Sequence, residues 1–196
     1  MSTIKATHIQ HPSAASPNFT LASDGTVSGG AGLGGLVHIY SSAVPAGTTL
    51  FSVDDVFDST YDNYRIIIYS RLNASGQQMH IRWRVGGVNN STASSYTYQE
   101  LYAYGTSVAA TQTSYTSSKI GAIHADARTG FSIDVLGPAL ADNTIYTSLN
   151  IYGSGGGVSM FQAGTHNQLT AYDGFTIFPL SGTFEGTVSV YGYANS

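Results

Sequence analysis

Residues 79–85, Met-His-Ile-Arg-Trp-Arg-Val (MHIRWRV), alternate apolar and polar side chains without a break. Successive side chains of a β-strand point to opposite faces, so a period of two puts Met79, Ile81, Trp83 and Val85 on one face. His80, Arg82 and Arg84 fall on the other. The same period recurs along the chain. In TIYTSLNIY (144–152), Ile145, Thr147, Leu149 and Ile151 oppose Tyr146, Ser148, Asn150 and Tyr152. FSIDV (131–135) sets Phe131, Ile133 and Val135 against Ser132 and Asp134, and TVSVYGY (187–193) turns Val188 and Val190 inward with Thr187 and Ser189 outward. YRIIIYSRL (64–72) and GFTIF (174–178) are denser in apolar residues and read as central strands.

Turn-forming stretches separate these runs at 73–78, 86–95, 137–138, 153–157 and 180–182, all rich in Gly, Asn, Ser or Pro. Many short alternating strands joined by such turns predict an all-β fold, an antiparallel, jelly-roll-like β-sandwich. Two facing sheets would bury the alternating apolar faces, and a chain of 196 residues fills such a core. A hairpin through NASGQQ (73–78) would place Ile68 near Trp83 and Ile66 near Val85. On its outer face Arg71 would lie beside His80, Tyr69 beside Arg82 and Ile67 beside Arg84. Four of the seven cations, Arg65, Arg71, Arg82 and Arg84, then share one outward face. The plain reading is a solubilising edge; the sharper one is a cationic docking face for an acidic neighbour or an anionic glycan.

Composition narrows the function classes. Charged residues make up only 9% of the chain, against roughly 25% in ordinary soluble domains. With 23 Gly, 14 Tyr and abundant Ser and Thr, hydroxyls and amides must cover much of the surface. Such a surface suits large assemblies and sugar contact. A net charge of −4 lacks the basic footprint of a nucleic-acid binder. Without cysteine there is no disulfide scaffold, thiolate nucleophile or Cys-based metal site. No window is long and apolar enough for a membrane-spanning helix, and the early prolines interrupt any secretion signal.

The head of the chain differs from the body. STIKATHIQ (2–10) holds one short strand, with Ile4 and Ile9 as its only sizeable apolar residues. PNFTLASDGTVSG (17–29) reads as a small hairpin around Asp24-Gly25, with Phe19, Leu21 and Val27 on a face too small to be stable alone. SGGAGLGG (28–35) is a flexible linker. The chain therefore divides into an attachment or oligomerisation segment, 1–35, and a sandwich, 36–196.

Catalytic patterns are missing. GxSxG, HExxH and a phosphate-binding glycine loop do not occur, and no pair of carboxylates stands out for glycoside hydrolysis. The expectation is a non-enzyme without cofactor. His8 and His11 are the only histidines at a metal-like spacing, and they lack a third ligand; the other four histidines read as surface or turn residues. Asp54, Asp55, Asp58 and Asp62 fit turn formation between strands better than a calcium loop. One binding feature remains. In SYTYQELYAYG (95–105), Tyr96, Tyr98, Tyr102 and Tyr104 fall on one strand face beside Glu100, next to a loop carrying Asn89 and Asn90. Stacked tyrosines near a polar loop suit a glycan surface; they equally suit a core or subunit interface.

STIKATHIQHPSAASPNFTLASDGTVSG (2–29) resembles the N-terminal segment of tailed-bacteriophage virion proteins, particularly tail-fibre-like and minor tail proteins. GGLVHIY (34–40), FDSTYDNYRIII (57–68) and the closing GTVSVYGYANS (186–196) extend the resemblance over the two ends and the first third of the chain. It implies a trimeric, β-rich component exposed on the phage particle, made in the host cytoplasm, with an N-terminal segment that docks onto other virion proteins. The function it implies is a short tail fibre or receptor-binding protein contacting host surface polysaccharide. The alternatives are a capsid decoration protein bound to the major capsid protein and, more weakly, a polysaccharide-degrading enzyme.

Overall fold

The computed structural model describes residues 8–9, 19–21, 27–29, 35–73, 76–104, 107–125, 127–152 and 157–194. The chain divides into two units, residues 1–35 with 194–196, and residues 36–193. In the first, three short strands, β1 (His8–Ile9), β2 (Phe19–Leu21) and β3 (Val27–Gly29), form one antiparallel sheet. Leu21 pairs with Val27 in the β2–β3 hairpin. Ile4 and His11 lie outside the described residues, as do the side chains of His8, Ile9, Phe19, Leu21, Val27 and Tyr104.

The second unit is an antiparallel β-sandwich with no helix among the described residues. Its larger sheet contains β4 (Leu36–Thr48), β6 (Asn63–Leu72), β9 (Tyr96–Tyr104), β10 (Ser107–Tyr115), β12 (Thr129–Leu136), β13 (Thr144–Tyr152), β14 (Val158–His166) and β16 (Phe184–Tyr193). These run in the order β10-β9-β14-β13-β12-β6-β16-β4. The smaller sheet, in the order β11-β7-β15-β5, contains β5 (Phe51–Val53), β7 (Gln77–Val85), β11 (Ser118–Ile123) and β15 (Gly174–Pro179). A short β8 (Val88–Asn89) folds back onto β7.

Alternation explains the core. Ile66 and Ile68 of β6, Val188 and Val190 of β16, and Ile133 and Val135 of β12 point inward and are fully buried. Met79, Ile81 and Trp83 of β7 meet them from the facing sheet. Aromatic rings fill the middle: Phe57 lies 4.7 Å from Tyr64 edge-on and 5.8 Å from Phe175 in a stack. Offset and edge-on contacts of this kind add to the burial of large rings.

The expected hairpin between 64–72 and 79–85 does not form. β6 pairs with β12 and β16, whereas β7 pairs with β11 and β15 in the opposite sheet. Ile66 and Ile68 on one strand and Met79, Ile81 and Trp83 on the other are buried as expected, but across the core from one another. From Leu72 to Gln77 the chain has five Cα–Cα steps and can reach about 17 Å when extended, enough to step between sheets packed about 10 Å apart. Asn73 fixes the crossing at Thr183: its backbone N–H donates to Thr183 O, and its Oδ1 accepts from Thr183 N. Val85, expected in the core, is exposed where β7 turns through Gly86 and Gly87 into β8. Both glycines have positive φ, 56° and 77°, a conformation costly for any residue with a Cβ.

The acidic stretch 54–62 joins β5 to β6 as a turn. Asp58 Oδ1 accepts the Thr60 N–H at 2.7 Å, a bond that lowers the carboxyl pKa.

On β13 the alternation is inverted. Tyr146, Ser148 and Asn150 point inward and are fully buried, while Ile145, Leu149 and Ile151 face out. The reason lies in β11, an edge strand whose outer backbone groups would otherwise be buried without partners. Tyr146 OH donates to Lys119 O, Ser148 Oγ donates to Ile120 O, and Asn150 Oδ1 accepts the Ala122 N–H. The polar face of β13 thus closes the edge of the facing sheet. Gly121 permits the approach, since a Cβ there would lie 2.6 Å from Asn150 atoms.

Candidate functional site

The four predicted arginines do not form one docking face. Arg65 and Arg71 project from the larger sheet, and Arg82 and Arg84 from the smaller one on the opposite side of the sandwich. Three are matched by carboxylates. Arg65 Nε donates to Asp134 Oδ1 at 2.7 Å, holding that carboxyl below its usual range. Arg71 Nε lies 2.7 Å from Glu185 Oε1. Arg84 is buried, and its fork reaches Asp54, Asn89, Thr176 and Gly87 O. Arg82 has no carboxylate partner among the described residues. It donates to Thr116 O at 3.0 Å, and its guanidinium carbon sits 4.8 Å from the Phe178 ring centroid.

Asn89 and Asn90 serve the fold. Asn89 Oδ1 accepts from Arg84 Nη1 and Thr176 Oγ1. Asn90 donates through Nδ2 to Tyr172 OH and accepts the Thr92 N–H at Oδ1, while its carbonyl accepts from Tyr96 OH.

The tyrosine face points inward. Tyr96 is fully buried: its hydroxyl accepts the Trp83 N–H, so β9 is tied to β7 across the core. His166 stacks on Tyr96 at 4.0 Å and bonds Tyr172 OH at 2.6 Å. His166 and His80, read from sequence as surface or turn positions, are both buried. Burial pushes each imidazole down to about 4, helped at His80 by the nearby Lys119 and Arg82 charges.

Further along β9 the same face opens into a hollow of about 410 Å³. Glu100 and Lys119 form its polar wall, Tyr102 and Tyr115 contribute rings, and Tyr98, Met160 and Gln78 complete it. Tyr98 is buried, Tyr102 is half-buried and Tyr115 is half exposed; the Tyr98 and Tyr115 rings lie 6.4 Å apart. Lys119 Nζ sits 2.5 Å from Glu100 Oε2, and Gln162 Nε2 donates to the same oxygen at 2.9 Å. Gln162 Oε1 is buried with no hydrogen-bond partner among the described residues. The hollow thus combines exposed ring surface with fixed polar groups, the mixture that holds small polar ligands.

A second hollow of about 330 Å³ adjoins the first, sharing Gln78 and Tyr115. It contains Ser117, His80 and Gln78 in a chain: Ser117 Oγ lies 2.9 Å from His80 Nδ1, and His80 Nε2 lies 3.2 Å from Gln78 Oε1. The order echoes a serine nucleophile with its base, but the chemistry opposes it. A neutral amide replaces the carboxylate that would stabilise an imidazolium, and two cations disfavour that charge. The set anchors the turn after β10. A separate hollow is lined by Arg71 and Glu185, which pair with each other, and the one ring in its lining, Phe184, is buried.

Lys119, Gln78 and Tyr115 escaped the sequence reading. Lys119 had a signal: it is one of only two lysines in the chain, and it stands inside an apolar strand. Gln78 and Tyr115 had none, because their roles arise from the meeting of β7, β10 and β11.

No group of three or more metal-binding side chains occurs among the described residues. No protein-family model matches the chain, and no curated protein matches it.

Proposed function

We propose that the protein is a structural component of a tailed-phage particle, a short tail fibre or receptor-binding protein that holds host surface saccharide in the hollow between β9, β10 and β11. The observation that carries the binding role is the placement of the Tyr102 and Tyr115 rings beside the Glu100–Lys119 pair and Gln78. Sugar rings offer an apolar face and a rim of hydroxyls, and this wall offers ring surface and charged hydrogen-bonding groups in return. The phage assignment rests on the resemblance of the head and closing strand of the chain. Labelling of particles with an antibody against the chain tests it, since label confined to heads would exclude a tail fibre.

A capsid decoration protein is the second reading, and a specific surface favours it. Leu101 of β9 pairs with Phe161 of β14, which pairs with Leu149 of β13. All three point outward and are about half exposed, as is Ile151. This uncharged ladder suits packing against another subunit or a capsid surface. Several hundred copies per particle would favour decoration, and a few dozen a tail.

A further inference from the structure

We infer that the second hollow, at Arg82, is a subsite for the carboxylate of an acidic saccharide. The inference rests on the saccharide reading of the adjoining tyrosine hollow. Among the described residues every other cation has a carboxylate within ion-pair distance: Arg65, Arg71, Arg84, Lys119 and Arg128, the last at 4.0 Å from Glu185. Arg82 alone lacks one, in a chain with 11 acidic residues and 7 basic ones. Its guanidinium is held in place nonetheless. Nε and Nη2 face Thr116 and the guanidinium carbon lies over the Phe178 ring, while Nη1 makes no hydrogen bond with the described residues.

A guanidinium fixed on one edge and held over a ring presents its remaining N–H groups in a set direction. That geometry suits an oxyanion and lowers the entropy cost of binding one. The local charge agrees. His80, the other basic group lining this hollow, is neutral near pH 7. Lys119 and Glu100 offset each other in the neighbouring hollow, so Arg82 contributes an uncompensated positive charge. Tyr115 and Gln78 line both hollows, and a chain of two or more sugars could place a neutral ring at Tyr102 and Tyr115 and an acidic one at Arg82. Uronic and sialic acids carry the required carboxylate.

The test uses the full chain on an array of uronic- and sialic-acid glycans beside neutral ones, with Arg82→Gln and Arg82→Lys as variants. Acidic glycans should bind best, Arg82→Gln should weaken them about tenfold, and Arg82→Lys should weaken them less. Neutral glycans should be indifferent to either change. Acidic binding undiminished in Arg82→Gln would overturn the subsite while leaving the saccharide reading intact, as would retention of neutral glycans only. Retention of no glycan would overturn both. Competition by inorganic phosphate but not by free galacturonate would reassign the site to phosphate and contradict the carboxylate. An unchanged melting temperature in the variants ties any loss to the contact.

Discussion

Lys119 on β11 and Glu100 on β9 form a buried ion pair that joins the edge of the five-stranded sheet to the eight-stranded sheet, with Nζ 2.5 Å from Oε2. Removing two charges from water is costly, and their attraction repays it only while both are present. Lys119→Met should therefore destabilise the fold by about 3–5 kcal/mol. Glu100→Gln with Lys119→Met should cost much less, since Gln162 can still donate to the new amide. Urea unfolding of the single and double variants measures the coupling.

Acid should loosen the sandwich through its two buried histidines. His80 and His166 sit at about 4 in the fold, against about 6.5 in an unfolded chain. Between these values the unfolded chain binds more protons, so stability falls as pH drops from about 6.5 to about 4 and is level above that window. Each histidine contributes at most roughly 3 kcal/mol. Melting temperatures across this range should fall smoothly in the native chain and less steeply in His80→Gln.

Asn150→Ala should destabilise by about 1–3 kcal/mol, because it leaves the part-buried Ala122 N–H without its acceptor and removes the Asn150 Nδ2 bond to Gly130 O. An exposed position on the same strand, such as Leu149→Ser, should change stability by only about 0.5 kcal/mol. Thermal unfolding compares the two directly.

Leu149→Ser and Phe161→Ser should instead reduce self-association, if the outward ladder is covered by a second copy. Sedimentation of the native chain and the double variant measures this. Oligomers of unchanged size would show that the ladder is not a contact between copies.

The sandwich was legible because strands such as 79–85, 131–135 and 187–193 alternate with period two, a signal carried by each strand alone. Strand pairing was not. Alternation says which residues face the core but not from which sheet, so β6 and β7 read as a hairpin although they face each other across the interior. The four arginines were split for the same reason. β13 shows a second limit: its inward face is polar because it closes the edge of β11, a need invisible within 144–152. Of the tyrosine stripe, the shared face of Tyr96 and Tyr98 with Glu100 was readable from the sequence, but only the fold shows that its first two members are core. The partners that complete the hollow, Lys119, Tyr115 and Gln78, come from other strands.

Saccharide retention by the native chain and by Tyr115→Ala, compared on one glycan array, tests the central claim most directly. Tyr115 is half exposed and lines both hollows, so the variant should keep its melting temperature within a few degrees. The predicted result is a defined set of glycans bound by the native chain and at least tenfold weaker binding by Tyr115→Ala. Equal binding by the two proteins, or no glycan retained by the native chain, would contradict it.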